Sequence, residues 1–287
     1  MKDIRLDNLT DIAAQTFAGA PEARRRELSQ ALVRHLHGFA KEVRLTHAEW
    51  REAIAFFHRV GDISNDQRSE FTLLSDVLGL SSLVDLLGSH PQATPGSVLG
   101  PFHTADSPWR DNPADLIGDN AGERVLLRGR VRNAEGAPLS EATLDVWQNA
   151  ANGMYWQMDP QQPRDNLRCR LKVDAHGHYE IATIRPMPYC IPTDGPVWID
   201  LIEPAQRSAW RPAHFHVIVE APGHRTLVTE VFDETDPYLD TDAVFGVRQA
   251  LIGRYEEVDD APAAARLGLS GPLCKVMHMD FVLATVE

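Results

Sequence analysis

Two histidines and two tyrosines carry the chemistry that this sequence offers. His214 and His216 lie two residues apart in Arg211-Pro212-Ala213-His214-Phe215-His216. On a strand, that spacing puts both imidazoles on one face. Tyr155 follows Asn152-Gly153-Met154, where the glycine marks a turn. Tyr189 sits in a stiff, irregular loop with Pro186, Pro188, Pro192, Gly195 and Pro196. Phenolate is a poor ligand for soft or divalent ions and a good one for a hard trivalent ion. Tyrosine is protonated near neutrality, with a reference pKa of about 10, but a bound cation holds it ionised. Two phenolates and two imidazoles on one ferric ion would make a redox-quiet centre, suited to activating an organic substrate rather than oxygen.

Plainer readings compete. A His-x-His pair on a strand also packs and hydrogen-bonds without a metal, and each tyrosine alone reads as a core or surface aromatic. His214, His216 and Glu220 share strand parity, and their spacing resembles the cupin metal motif, which would imply a divalent His/Glu site. The second motif that a cupin needs is missing, since Pro222-Gly223-His224 follows too soon. A second pair, His176 and His178, straddles Gly177 in an expected turn and reads as solvent-facing. Cys190 adjoins Tyr189 and reads as a packed thiol.

These side chains need a scaffold, and the bulk numbers bound it. The chain has 287 residues, 43% hydrophobic and 24% charged, an ordinary globular composition. A formal charge of −13 gives it no reason to bind nucleic acid or an anionic membrane. No apolar run approaches the roughly 20 residues of a membrane helix. Met1-Lys2-Asp3-Ile4-Arg5-Leu6-Asp7 lacks the apolar core of a secretory signal. Three cysteines without a C-x-x-C fit reduced thiols and a cytoplasmic location.

The first 90 or so residues read as helices. Leu28, Ala31, Leu32, Leu36, Phe39, Ala40 and Val43 recur at helical spacing after Pro21. Thr46-His47-Ala48-Glu49 has the form of a capping box, opening a helix with Ile54, Phe57 and Val60. Ser64-Asn65-Asp66-Gln67 has the same form and would open a third, carrying Phe71, Leu74, Leu78 and Leu87. Their apolar stripes imply either an intramolecular layer or a dimer interface. After a turn-rich stretch, alternation marks strands at Val125–Val131, Leu144–Trp147, Tyr179–Ile181, Val217–Val219, Leu227–Phe232 and Met277–Leu283. The expectation is a mixed α and β fold: a helical N-terminal domain, residues 1–95, and a β-sandwich catalytic domain, residues 96–287, with the ferric site.

Several segments together resemble the intradiol ring-cleavage dioxygenases, a family of non-haem ferric enzymes. They are Val98-Leu99-Gly100-Pro101-Phe102, Val146-Trp147-Gln148, Gly153-Met154-Tyr155, Asp174-Ala175-x-Gly177-x-Tyr179, Pro188-Tyr189, Arg211 to His216 and Ala221-Pro222-Gly223-His224-Arg225. The resemblance implies one Fe(III) per subunit, held by Tyr155, Tyr189, His214 and His216. It implies that Tyr189 leaves the iron when the diol binds and that Arg211 steadies charge on the ring. Pocket walls would come from Leu73, Asp76, Val98, Leu99, Gly100, Ile191, Pro192 and Val244. Substrates would be a small aromatic diol and O2. The implied assembly is a homodimer through the N-terminal helices, with a phospholipid at the interface as a further possibility the family raises. Tyr189 to Val197, Tyr238 to Val247 and Leu73-Leu74-Ser75-Asp76 are most similar to members that cleave hydroxyquinol, and Asp76 would meet a third ring hydroxyl. Catechol or chlorocatechol is the alternative substrate, and a non-catalytic binding module the non-enzymatic one. Glu230 departs from the glutamine of catechol-type members and bears on the choice of substrate.

Overall fold

The computed structural model describes residues 3–65 and 68–286. Met1 and Lys2, and Asp66-Gln67 of the third expected capping box, lie outside the described residues. Compactness divides the chain into residues 1–59 and residues 60–287, whereas the composition boundary falls at 95/96.

The first unit holds α1 (Leu9–Gln15), α2 (Ala23–Glu42) and most of α3 (His47–Ile63). The α3 start is a reciprocal cap: Glu49 N–H donates to Thr46 Oγ1 (3.3 Å), and Thr46 N–H to Glu49 Oε2 (2.8 Å). On α2, Leu28, Leu32, Leu36 and Phe39 are each more than half exposed.

The third expected helix is instead two, α4 (Glu70–Val77) and α5 (Leu80–Gly88), bent by 73°. Ser69 caps α4, accepting from Thr72 N–H at 3.2 Å. The break falls at Gly79, φ +74, where a Cβ would come within 3.3 Å of the Phe245 ring. Among the described residues, no single helix is long and apolar enough to cross a membrane.

The strands follow in order: β1 (Ala114–Asp115), β2 (Arg124–Asn133), β3 (Thr143–Trp147), β4 (Arg168–Lys172) and β5 (His178–Ile184). Next come β6 (Tyr189–Cys190), β7 (Trp210–Arg211), β8 (His214–Glu220), β9 (Leu227–Asp233), β10 (Ile252–Gly253) and β11 (Tyr255–Asp259). Helix α6 (Ala261–Arg266) precedes β12 (Leu273–His278) and β13 (Phe281–Leu283). The alternation of Met277 through Leu283 is thus two strands, separated where the Tyr179 hydroxyl donates to the Met279 carbonyl (2.6 Å).

One sheet runs β1-β5-β2-β12-β11, with β13 also on β2; the other runs β10-β9-β8-β3-β4. They pack face to face. Val125, Leu127, Ile181 and Met277 from the first meet Leu144, Val146, Leu171, Phe215, Val217 and Val219 from the second. The outer face of the first sheet is covered by α6, through Ala263, Ala264 and Leu267. The outer face of the second sheet, opposite the core, carries His214 and His216.

Candidate metal centre

Strand register builds this centre. On β8, Phe215, Val217 and Val219 point into the core, so His214 and His216 point the other way. His216 pairs with Trp147 on β3 and with Glu230 on β9, and His214 pairs with Phe232. Cross-strand partners share a face, so indole, imidazole and carboxylate form a row across the sheet. The indole of Trp147 stacks on His216 at 4.8 Å and 6°.

The tyrosines arrive from outside the sheet. Tyr189 stands on β6 directly opposite Arg211 on β7. Tyr155 follows Gly153, whose φ is +77 and whose missing side chain leaves room for the Pro188 carbonyl. Asn149 ties the two tyrosine loops together. Its Nδ2 donates to the Met187 carbonyl (2.7 Å) and its Oδ1 accepts from Met187 N–H (3.0 Å). Phe102 stacks on Tyr155 at 4.3 Å, and Phe102, Trp147, Tyr155 and Tyr189 form one buried cluster.

Nitrogen and oxygen donors converge. His214 Nε2 lies 3.1 Å from His216 Nε2 and 3.5 Å from Tyr155 Oη. The Tyr189 ring lies 5.5 Å from Tyr155 and 5.7 Å from His214, centre to centre. His214 Nδ1 bonds the Pro212 carbonyl at 2.7 Å, which leaves Nε2 as the bare nitrogen. Burial, reinforced by Arg211, holds the His214 imidazole below its ordinary pKa. Burial and then His214 do the same, more strongly, to His216. Both rings are therefore neutral and can donate lone pairs. Burial pushes both phenols up, Tyr155 well above the ordinary range with Tyr189 adding to the effect. Only a cation would hold them ionised. Three of the four groups meet within hydrogen-bonding distance or just beyond it, and this hard oxygen and imidazole set fits a trivalent metal.

Glu220, the rival acidic ligand, is exposed at the end of β8. The carboxylate beside the histidines is Glu230, and one of its oxygens and one ring nitrogen from each of His214 and His216 lie within 4.8 Å of one another.

A family described as Dioxygenase matches residues 98–284, and one described as Catechol dioxygenase N terminus matches residues 22–95. The 6-chlorohydroxyquinol 1,2-dioxygenase of Cupriavidus pinatubonensis is 41% identical over 91% of this chain and 95% of its own. The chain belongs to the intradiol ring-cleavage dioxygenases. The solved hydroxyquinol 1,2-dioxygenase of Pseudomonas putida is 42% identical, with a TM-score of 0.86 over 98% of this chain and 99% of its own. The catechol 1,2-dioxygenase of Pseudomonas arvilla is 28% identical, with a TM-score of 0.81 over 98% and 92%.

Around this dioxygenase centre lies a charge cluster that the sequence does not announce. Arg211 is 2% exposed and pairs with two carboxylates. Its Nη1 lies 2.7 Å from Glu230 Oε1, its Nη2 donates to Glu230 Oε2 (3.1 Å), and its Nε donates to Asp242 Oδ1 (3.0 Å). Ser97 Oγ donates to Glu230 Oε2 at 2.6 Å. Burial pushes the Glu230 carboxyl up, but the Arg211 charge and hydrogen bonds from Arg211 and Ser97 oppose it, and it titrates below its ordinary value. The guanidinium is thus held in place by two buried carboxylates. Gly246 makes the packing possible, since a Cβ there would sit 2.6 Å from Glu230 Oε2. Ser97 and Asp242 went unread because their partners Glu230 and Arg211 lie 133 and 31 positions away; for Asp242 and Gly246 the signal was their place in Tyr238 to Val247.

The expected pocket walls separate. Leu73, Ile191 and Pro192 line one cleft of about 550 Å³ that reaches Phe102 and Cys190. Arg68 closes its rim: Nη1 donates to Asp194 (2.8 Å) and Nη2 to the buried Glu70 (2.9 Å), whose Oε1 accepts from Val197 N–H (3.2 Å). Gly100 is φ +70 and abuts His216, with 2.9 Å from an added Cβ to Cε1. Asp76, Val98 and Val244 are buried, while Leu99 is 42% exposed. Burial pushes the Asp76 carboxyl up despite a hydrogen bond from Ser81. Glu230 lies beneath the histidines, wholly buried, rather than among the cleft walls.

Proposed function

We propose that this enzyme is a ferric hydroxyquinol 1,2-dioxygenase. It takes hydroxyquinol, or a ring-substituted hydroxyquinol, with O2 and opens the ring between the two adjacent hydroxyls. The product is a maleylacetate or hydroxymuconate-type diacid. The observation that carries the reading is the convergence of Tyr155, Tyr189, His214 and His216, in a chain whose curated relatives include hydroxyquinol 1,2-dioxygenases.

Those four side chains would hold one iron per chain. When bound, the ferric ion would supply Lewis acidity and a template for both diol oxygens. Tyr189 carries the mobile proton at Oη: it is without that proton as a ligand and regains it from the incoming diol. Burial opposes its ionisation, and Arg211, its cross-strand neighbour, favours it. Arg211 is clamped by Glu230 and Asp242 and so offers a fixed guanidinium edge where negative charge develops. Leu73, Ile191 and Pro192 give a flat ring apolar walls and exclude water. The buried Asp76 carboxyl would pair with the third ring hydroxyl.

The same reading makes the enzyme a cytoplasmic homodimer joined through its N-terminal helices, with a phospholipid at that interface. The support is the exposed stripe of Leu28, Leu32, Leu36 and Phe39 on α2. Light scattering, with extraction and mass analysis of bound lipid, tests it.

Oxygen uptake with hydroxyquinol, catechol and chlorocatechol side by side tests the activity. The expected order puts hydroxyquinol first in kcat/KM; a preference for catechol would reassign the substrate. Iron-loaded protein should be wine-red from tyrosinate-to-ferric charge transfer, and a colourless iron-replete preparation would overturn the two-phenolate centre. Tyr189→Phe should lose much of that colour and most of the turnover.

A further inference from the structure

A buried ring nitrogen beside the centre has no hydrogen-bond partner, and a carboxylate oxygen, ion-paired on its other side with Arg211, faces it. They are His216 Nδ1 and Glu230 Oε1, 3.5 Å apart on residues that are wholly buried. Strand register puts them opposite one another. A shift of about half an ångström would bring the pair within the usual hydrogen-bond range of roughly 2.7–3.2 Å and give the nitrogen its partner.

We propose that Glu230 is a positioning residue for the metal: Oε1 accepts the Nδ1 hydrogen of His216, fixing that ring with Nε2 bare toward the ion. This rests on the reading of His216 as a ligand. A carboxylate partner draws the imidazole toward imidazolate character and makes it a richer donor. The two histidines then differ. His214 leans on a neutral carbonyl, that of Pro212, whereas His216 leans on a full negative charge. The surroundings hold Glu230 to the task. Ser97 and Arg211 engage Oε2, Arg211 also pairs with Oε1, and the absence of a side chain at Gly246 leaves room for the carboxylate in this position. Trp147 and Gly100 fix the His216 ring from other sides.

Glu230 as a direct ligand is the competing arrangement, since Oε1 also lies 3.4 Å from His214 Nε2. Two observations favour the positioning role. Tyr155 and His214 gather with the Nε2 side of the His216 ring, while Oε1 faces Nδ1. The Arg211 cation also sits 2.7 Å from Oε1, where it would repel a metal ion.

The test uses full-length, iron-loaded Glu230→Gln, with His216→Ala beside it. Two quantities are read: the position of the visible charge-transfer band and the rate at which a strong chelator removes iron. Expected for Glu230→Gln is wild-type iron content, a band moved to longer wavelength because a poorer His216 donor leaves the ion more electron-hungry, and iron loss faster by about 10–100-fold. Glu230→Asp keeps the charge but withdraws it by one carbon. It should shift both quantities the same way by less, and it carries the test if the glutamine variant does not fold. A wild-type band and release rate in the folded variants would overturn the proposal. So would Glu230→Gln losing iron as completely as His216→Ala, which would make Glu230 a ligand. If His216→Ala keeps wild-type iron and colour, the ligand reading falls and takes this proposal with it.

Discussion

The two faces of β8 share a backbone and little else. One face presents Phe215, Val217 and Val219 to the apolar core of the sandwich. The other presents His214 and His216 to a phenol, an indole, a guanidinium and a carboxylate. Phe215, Val217 and Val219 on one face and His214 and His216 on the other are all buried. What differs is how burial is compensated: packing alone on the core face, mutual pairing of polar groups on the other. A period of two residues lets one strand serve as wall for a stable core and floor for a reactive site. Stability and chemistry should therefore separate by residue parity.

The sharpest break of that separation is a pair of neighbours. His216→Ala should abolish activity and iron loading while the metal-free protein keeps nearly its melting temperature. Phe215→Ala, one residue away, should cost about 3–5 kcal/mol of stability and leave activity per bound iron close to wild type. Calorimetry of the metal-free proteins and iron-normalised turnover read the two. Loss of both properties in both variants would mean that the faces are not independent.

The parity itself was legible in the sequence, because alternation on β8 and β9 is a local signal. The His-x-His spacing and the Thr46 to Glu49 cap were legible for the same reason. What governs the site's electrostatics was not. Arg211 meets Glu230 and Asp242 only because β7, β9 and the segment before Val244 are brought together, and no spacing encodes that. Glu230 read only as a departure bearing on the choice of substrate; its place beneath the imidazoles comes from the register of β8 and β9. The single third helix failed at Gly79, a break imposed by the ring of a residue 166 positions on, Phe245. Helices α4 and α5 look like the helices before them but are compact with the sandwich. Their anchors explain this: Arg207 donates to the Val77 carbonyl, and Ser82 to that of Phe245.

A smaller effect should come from Gly100, which touches the polar face without being part of it. Its φ of +70 and the 2.9 Å approach to His216 leave no place for a methyl group. Gly100→Ala should cost about 1–2 kcal/mol for the left-handed backbone. It should also tilt the His216 ring, moving the charge-transfer band and slowing turnover. A variant that is destabilised but spectroscopically unchanged would show that the backbone, and not the ring, is what the glycine serves.

The smallest effect tests whether pairing is what makes the polar face tolerable. Asp85 on α5 is a partly buried carboxyl whose Oδ2 has no hydrogen-bond partner, so it lacks the clamp that Glu230 and Asp242 share. Burial pushes its pKa up to about 6, with Arg248 countering only in part. The sign follows from proton binding. The folded carboxyl holds its proton more tightly than the unfolded one, whose ordinary value is 3.8. Stability from this group is therefore complete below the ordinary value and is lost as pH rises to about 6. Asp85→Asn, which cannot ionise, should melt higher than wild type at pH 8, with the gain fading to nothing at about pH 4. Thermal melts of both proteins across that range would show it. A gain that persists unchanged at low pH would mean that the lone carboxylate's charge is not what the fold pays for there, and that pairing is not what separates it from Glu230.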